Sequence, residues 1–219
     1  MLDWPGRLSV TVFIAGCDLR CPFCHNPDLV DPRSADVSSL TGLFEHLYNR
    51  RDWIDGVVVT GGEPTSDPDI LDLLHAIHDM AIAIKFGTNG NSPRALSGVL
   101  ASGLVSYVAM DVKATPEKYP DATGGRGSWI RAQESIDLIR DSGISHEFRT
   151  TVFPSVVSEH DLPRIAQSLQ GGDLYALQQF RPQTTLDHAA SRVQPMHPDV
   201  LAACALSCSD HLPTITRGV

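Results

Sequence analysis

The chain has 219 residues, and 42% of them are hydrophobic, which is enough apolar material to bury a sizeable core and argues against a disordered chain. Its 17 Lys and Arg residues against 26 Asp and Glu residues give a formal charge of −9, so nucleic acid is not expected as a partner. The sequence shows neither an export signal at its start nor an apolar run of the roughly 20 residues that would span a bilayer, so we expect a cytoplasmic protein that does not associate with a membrane.

Apolar segments of strand type alternate along the chain with amphipathic segments of helix type. Strands are predicted at residues 8–15, 57–60, 81–86, 105–111, 146–153 and 174–180, and helices at residues 38–49, 69–80, 93–101, 129–142 and 158–169. This alternation is typical of an α/β protein with a parallel sheet and helical crossovers. Because a complete eight-unit barrel takes about 250 residues, we predict an open partial (βα)6 barrel.

The whole chain, residues 1–219, is expected to form one domain, with the barrel at about 3–182 and a helical tail at about 183–219. A turn-rich insert at residues 116–127 follows the fourth predicted strand, on the face where barrel folds keep their sites. In the tail, Cys204 and Cys208 lie four residues apart on a predicted helix. We expect them to be packing residues, the alternative being half of a second metal site.

The strongest chemical signal is a cysteine triplet directly after the first predicted strand. Cys17, Cys21 and Cys24 are separated by three and two residues, so one short loop can direct three thiolates at one centre. Thiolates suit iron-sulfur clusters or zinc, and a cubane cluster with three protein ligands keeps one iron open. The alternative is a structural zinc site in which His25 is the fourth ligand.

The triplet and a second element resemble the radical S-adenosylmethionine (SAM) superfamily. Gly61-Gly62-Glu63 follows the second predicted strand and is similar to the Gly-Gly-Glu element that receives the amino group of SAM in that superfamily. Adjacent glycines let backbone groups approach a ligand, and the carboxylate offers charge to an ammonium group. The resemblance implies that the three cysteines hold one [4Fe-4S] cluster, whose open iron binds SAM, and that one electron then cleaves SAM to a 5′-deoxyadenosyl radical.

Within the superfamily, the chain is similar to the activases of glycyl radical enzymes. The matching elements are Asp3-Trp4-Pro5-Gly6, Cys24-His25-Asn26, Thr88-Asn89-Gly90, Asp111-Val112-Lys113 and Arg149. The resemblance implies that the cofactor is bound by the main chain of Phe23 and by Gly61, Gly62, Glu63, Thr88, Asn89, Asp111, Lys113 and Arg149. It also implies oxygen ligands from Thr88 and Asp111 for a monovalent cation. No side chain is expected to act as a general acid or base, because the cofactor radical abstracts the hydrogen.

The segment Gln178-Gln179-Phe180-Arg181-Pro182 extends the similarity to the short activating proteins of anaerobic ribonucleoside-triphosphate reductase. The implied function is to install a glycyl radical on that reductase, with an electron donor such as flavodoxin or ferredoxin as a second partner. One alternative is a radical SAM enzyme that activates another glycyl radical enzyme or acts on a small molecule. The other is a non-catalytic zinc or redox-sensing module, which accounts for the cysteines but not for the remaining elements.

Overall fold

The computed structural model describes residues 3–219, and the first two residues of the predicted domain lie outside this part. Seven strands form one sheet in which consecutive strands are parallel neighbours. They are β1 (Ser9–Ile14), β2 (Gly56–Gly61), β3 (Ala83–Thr88), β4 (Tyr107–Asp111), β5 (His146–Val152), β6 (Tyr175–Gln179) and β7 (Thr214–Arg217). Within the described residues β1 and β7 are the two edges and do not pair with each other. The open α/β barrel predicted from the sequence is therefore confirmed.

Seven α-helices connect or follow the strands in the described part of the chain. They are α1 (Leu40–Arg50), α2 (Ile70–His78), α3 (Pro93–Ala101), α4 (Tyr119–Thr123), α5 (Trp129–Asp141), α6 (Asp161–Ser168) and α7 (Pro198–Cys208). Serine side chains cap the N-termini of α1 and α5: Ser39 Oγ accepts from Gly42 N (3.1 Å), and Ser128 Oγ accepts from Arg131 N (3.4 Å). No helix of residues 3–219 combines the length and the apolar composition that crossing a bilayer requires.

The prediction of six strands missed the seventh. β7 lies in the segment expected to be a helical tail, and it pairs with β6, with Thr214 opposite Tyr175 and Arg217 opposite Gln178. The strand has only four residues, of which Ile215 alone is apolar, so its signal is weaker than that of a continuous buried run. The tail therefore contributes one α-helix, α7, one short 3-10 helix at Ala190–Arg192 and one strand, β7.

The third strand also begins later than the sequence predicts. Ala81, the expected first residue, has a φ of +59° and its N–H donates to the carbonyl of His78, so it belongs to the turn that ends α2. The strand itself begins at Ala83 and ends at Thr88, which is the first residue of the Thr-Asn-Gly element.

The two faces of the sheet differ in chemistry, and this difference positions the site. One face packs into the hydrophobic core and carries Val57, Val59, Ile84, Phe86, Val108, Met110 and Phe148. On the alternating positions, which line the inside of the barrel, Lys85 and Glu147 are buried and Asp111 and Arg149 are partly buried. Arg217 of β7 reaches Glu147 of β5, two strands away in the sheet, with two hydrogen bonds. One face of the sheet is thus apolar, whereas the inside of the barrel carries buried and partly buried charged side chains.

Candidate functional site

The loop that carries the cysteine triplet leaves the end of β1 and is held at its start and near its middle. Gly16 N donates to the carbonyl of Leu29 (2.7 Å), and Arg20 N donates to the carbonyl of Thr123 in the insert after β4 (3.1 Å). The guanidinium of Arg20 also donates to the carbonyl of Cys17 (2.6 Å). The path of the loop is therefore fixed by backbone contacts with neighbouring segments.

The three thiols lie at different depths. Cys21 is buried, whereas Cys17 and Cys24 are partly buried. Burial raises the pKa of Cys17 to about 12 and that of Cys21 to about 11, and the nearby Lys113 cation partly opposes the shift of both. The raised pKa values favour the neutral thiols, so iron, which binds thiolates, would displace protons from these two side chains.

Two N–H groups near Cys17 can stabilise negative charge on its sulfur, whereas the nearby carboxylates of Asp18 and Glu63 oppose that charge. Leu19 N donates to Cys17 Sγ (3.4 Å), and Asn89 Nδ2 lies 3.9 Å from the same sulfur. Among residues 3–219, no group of three or more His, Cys, Asp or Glu side chains is arranged to hold a metal ion. A cubane cluster has a different requirement from a single metal ion. Each cysteine thiolate would bind its own iron, so the three cysteine sulfurs need not converge on one point. Three cysteines on one anchored loop, with N–H groups directed at a sulfur, fit a cluster.

The Gly-Gly-Glu turn packs against the start of the cysteine loop. Gly62 N donates to the carbonyl of Ile14 (2.8 Å), and Glu63 N donates to the carbonyl of Gly16 (2.7 Å). A Cβ at Gly61 would meet the backbone of Ile14, and a Cβ at Gly62 would meet the carbonyl of Gly16. Gly61 in addition has a φ of +128°. Both glycines are therefore needed for this approach of two backbones.

The Glu63 side chain joins the end of β2 to the end of β3. It is 1% exposed, and its Oε1 accepts from Thr65 Oγ1 (2.5 Å), Thr65 N (3.1 Å) and Thr88 Oγ1 (2.8 Å). Its Oε2 accepts from Asn89 N (2.6 Å). Burial raises the pKa of Glu63, and these hydrogen bonds oppose the rise. An ammonium group of the cofactor would have to share a carboxylate that already organises the two turns.

Asp111, Lys113 and Arg149 form one ion network at the inner mouth of the barrel. Asp111 accepts from Lys113 Nζ at Oδ2 (3.0 Å) and from Arg149 Nε at Oδ1 (2.8 Å). The register of β4 and β5, which sets Asp111 opposite Arg149, brings the pair together. Burial alone would raise the pKa of Asp111, but the two cations lower it to about 2. The network keeps one positive charge in excess close to the cysteines.

The oxygens expected to bind a monovalent cation are engaged in protein contacts. Both oxygens of Asp111 accept from cationic side chains, and Thr88 Oγ1 donates to Glu63. A site for a further cation would compete with these contacts, so the arrangement does not favour it.

Three other residues singled out in the sequence lie in the hydrophobic core. Phe23 is 3% exposed, and its ring stacks on that of Phe153 with 5.1 Å between centroids. Cys204 and Cys208 on α7 are 7% and 0% exposed and belong to the hydrophobic core. Their surroundings are those of packing cysteines.

Sequence reasoning missed Asp18 and Asn91. The carboxylate of Asp18 accepts from Asn89 Nδ2 (2.8 Å) and from Asn91 Nδ2 (2.5 Å). Two signals could have pointed to them, since Asp18 is a polar residue inside the cysteine triplet and Asn91 directly follows the Thr-Asn-Gly element. These contacts join the triplet to the turn after β3.

Comparison with known proteins agrees with this site. A profile of the Radical SAM superfamily matches residues 11–169. A protein of Methanocaldococcus jannaschii, provisionally named a glycyl-radical enzyme activating enzyme, is 32% identical over 193 residues, which cover 85% of this chain and 78% of the relative. The pyruvate formate-lyase-activating enzyme of Clostridium pasteurianum is 25% identical over 181 residues, which cover 78% of this chain and 72% of the relative.

A solved structure with the same fold is SuiB of Streptococcus suis bound to SAM. It superposes with a TM-score of 0.74 at 17% identity and covers 96% of this chain. The chain spans 50% of the length of SuiB, so this likeness concerns the fold alone. Members of the superfamily use a [4Fe-4S] cluster and SAM. The chain therefore belongs to the radical SAM superfamily and, within it, to the family of glycyl-radical enzyme activating enzymes.

Proposed function

We propose that this protein installs a glycyl radical on anaerobic ribonucleoside-triphosphate reductase and that Cys17, Cys21 and Cys24 are the ligands of its cluster. The observation that carries the proposal is that the cysteine loop, the Gly-Gly-Glu turn and the turn after β3 are joined by hydrogen bonds. Glu63 links all three, because its N–H donates to Gly16 and its carboxylate accepts from Asn89 N. When bound, the cluster and SAM supply the one-electron cleavage that generates a 5′-deoxyadenosyl radical.

The residues around the cysteines divide the work of binding the cofactor. The glycine pair lets the end of β2 pack directly against the backbone of Ile14 and Gly16, beside the cysteine loop. Lys113 places a cation near the thiols, where it can pair with the carboxylate of SAM. Asp111 holds Lys113 in place and is itself held by Arg149. The main chain of Phe23, together with Thr88 and Asn89, completes the set.

The identity of the partner enzyme rests on the similarity of residues 178–182 to activating proteins of anaerobic ribonucleotide reductase. A second candidate partner is pyruvate formate-lyase, because the relative from Clostridium pasteurianum is named as the activating enzyme of pyruvate formate-lyase. Both partners are glycyl radical enzymes, so both need the same site. We also propose a single domain, a cytoplasmic location and a flavodoxin or ferredoxin as the electron donor.

The experiment uses reduced, cluster-loaded protein mixed anaerobically with SAM and either the reductase or pyruvate formate-lyase of the same host. We expect a stable glycyl doublet in electron paramagnetic resonance (EPR) with the reductase, and no doublet when its radical-bearing glycine is replaced by alanine. A doublet only with pyruvate formate-lyase would transfer the assignment to that enzyme. Formation of 5′-deoxyadenosine without a radical on either protein would indicate a small-molecule substrate and contradict the proposal.

A further inference from the structure

A chain of hydrogen-bonded polar side chains joins the cysteine loop to the turn after β3. Asn89 and Asn91 are 5% and 4% exposed, and each donates from Nδ2 to one oxygen of Asp18, at 2.8 and 2.5 Å. Asn89 Oδ1 accepts from Asn91 N (2.8 Å), and Asn91 Oδ1 accepts from Ser128 N at the start of α5 (3.1 Å). Both amide groups are thus held at their oxygen and at their nitrogen.

This arrangement decides where the remaining hydrogen of the Asn89 amide points. A primary amide nitrogen has two hydrogens, and one of those on Asn89 is taken by Asp18. The second faces Cys17 Sγ, which lies 3.9 Å from Nδ2. Rotating the amide by half a turn would set its oxygen against the Asp18 carboxylate and would lose the bond from Asn91 N. Asp18 and Asn91 therefore select the orientation in which the Asn89 N–H is directed at the sulfur.

We propose that Asp18 and Asn91 are positioning residues that hold Asn89 as a hydrogen-bond donor to the Cys17 sulfur and thereby set the reduction potential of the cluster. The inference rests on the proposed function, because it requires Cys17 to be a cluster ligand. Reduction adds negative charge to the cluster and its sulfurs, and an N–H donor stabilises that charge. The donor consequently makes the cluster easier to reduce.

The test is an anaerobic redox titration of the cluster-loaded protein, followed by the EPR signal of the reduced cluster. Asn89→Leu removes the donor at similar size, and we expect a more negative midpoint potential. Asn91→Leu removes a side chain that does not touch the sulfur, and we expect a smaller shift in the same direction. A merely structural role of Asn91 would lower the free energy of unfolding and leave the midpoint unchanged.

Asp18 needs a paired experiment, because removing its negative charge on its own makes the midpoint more positive. In the wild-type background, Asp18→Asn combines the positive shift of the midpoint from the lost charge with a negative shift, because the Asn89 N–H is held less firmly towards the sulfur. In the Asn89→Leu background only the effect of the lost charge remains. We therefore expect a larger positive shift in the Asn89→Leu background. Asp28→Asn is the matched control, since Asp28 is an exposed acid near the triplet, and it should give the same shift in both backgrounds.

Iron and sulfide counts separate the failure of this inference from the failure of the proposed function. If the wild-type protein takes up no [4Fe-4S] cluster, the proposed function is wrong and the inference is lost with it. If the cluster loads but Asn89→Leu and Asn91→Leu keep the wild-type midpoint, or if Asp18→Asn shifts it equally in both backgrounds, the inference alone is overturned. Should Asn91→Leu fail to load the cluster, Asn91→Ser is measured in its place against the same criterion.

Discussion

Replacing Glu147 by Gln should destabilise the protein far more than the same replacement of Glu117. The Glu147 side chain is fully buried and accepts from Lys85 Nζ (2.9 Å) and from both terminal nitrogens of Arg217 (3.0 and 2.6 Å). Glu117 pairs with Arg164 at 2.7 Å, but these two side chains are 63% and 55% exposed. The two acids have partners at similar distances and differ in burial.

The expected magnitude follows from what the substitution leaves behind. Glu147→Gln leaves Lys85, which is also fully buried, without a counter-charge, and removing one partner of a buried ion pair costs about 3–5 kcal/mol. An exposed pair is worth about 0–1 kcal/mol. Burial alone would raise the pKa of Glu147, but Arg217 and Lys85 bring it down to about 2. Burial lowers the pKa of Lys85, Glu147 opposes this shift, and the nearby cations Arg149 and Arg217 add to it.

The assay is urea unfolding of the cluster-loaded variants under anaerobic conditions, followed by circular dichroism. We expect Glu147→Gln to lose about 3–5 kcal/mol of unfolding free energy and Glu117→Gln less than about 1 kcal/mol. Because the folded-state pKa of Glu147 is depressed, its stabilisation is complete above the ordinary value of 4.5 and is lost as the pH falls from there towards about 2. The gap between the unfolding free energies of wild type and Glu147→Gln should therefore narrow as the pH falls from 4.5 towards about 2. Equal losses for the two variants at pH 7 would refute the reasoning.

Two further predictions concern the cofactor site. Lys113→Met should still load a cluster but bind SAM about a hundredfold or more weakly by calorimetry, because the SAM carboxylate loses its cation. Lys118→Met, which removes a partly exposed partner of Asp161, should keep wild-type affinity, and equal affinities of the two variants would reject the placement of Lys113. Gly62→Ala should lose about 1–3 kcal/mol of unfolding free energy and bind less iron, because its Cβ would meet the carbonyl of Gly16. Gly98→Ala on α3 is the control: its Cβ meets open space, so the variant should be neutral or stabilised by about 0.5–1 kcal/mol. An unchanged iron content in Gly62→Ala would contradict the close contact of the Gly-Gly-Glu turn with the cysteine loop.

The order of the first six strands could be predicted because their core-facing residues are apolar and their ends carry turn signals. β7 could not, since Thr214–Arg217 is short and its membership of the sheet depends on pairing with β6, which lies about 40 residues earlier. The double hydrogen bond from Arg217 to Glu147 depends on a contact between β7 and β5, which are separated by β6. Such contacts leave no local pattern in the sequence.

The candidate site divides in the same way. The spacing of the cysteines and the Gly-Gly-Glu element identified the two loops, because the residues within each element lie only a few positions apart in the sequence. The partners of Asp111 could be anticipated only in part, since Lys113 is two residues away but Arg149 is brought in by the register of β4 and β5. The contacts of Asp18 with Asn89 and Asn91 likewise bridge more than 70 residues, at separations of 71 and 73.

The central claim is that the cysteine triplet and SAM meet at one cluster, and the EPR spectrum of the reduced cluster before and after addition of SAM tests it most directly. Wild-type protein and the Cys204→Ser, Cys208→Ser double variant should both show the signal of a reduced [4Fe-4S] cluster, and SAM should change it. The single variants Cys17→Ala, Cys21→Ala and Cys24→Ala should lack the signal. A cluster signal that survives in Cys17→Ala, or a wild-type spectrum that SAM leaves unchanged, would contradict the account.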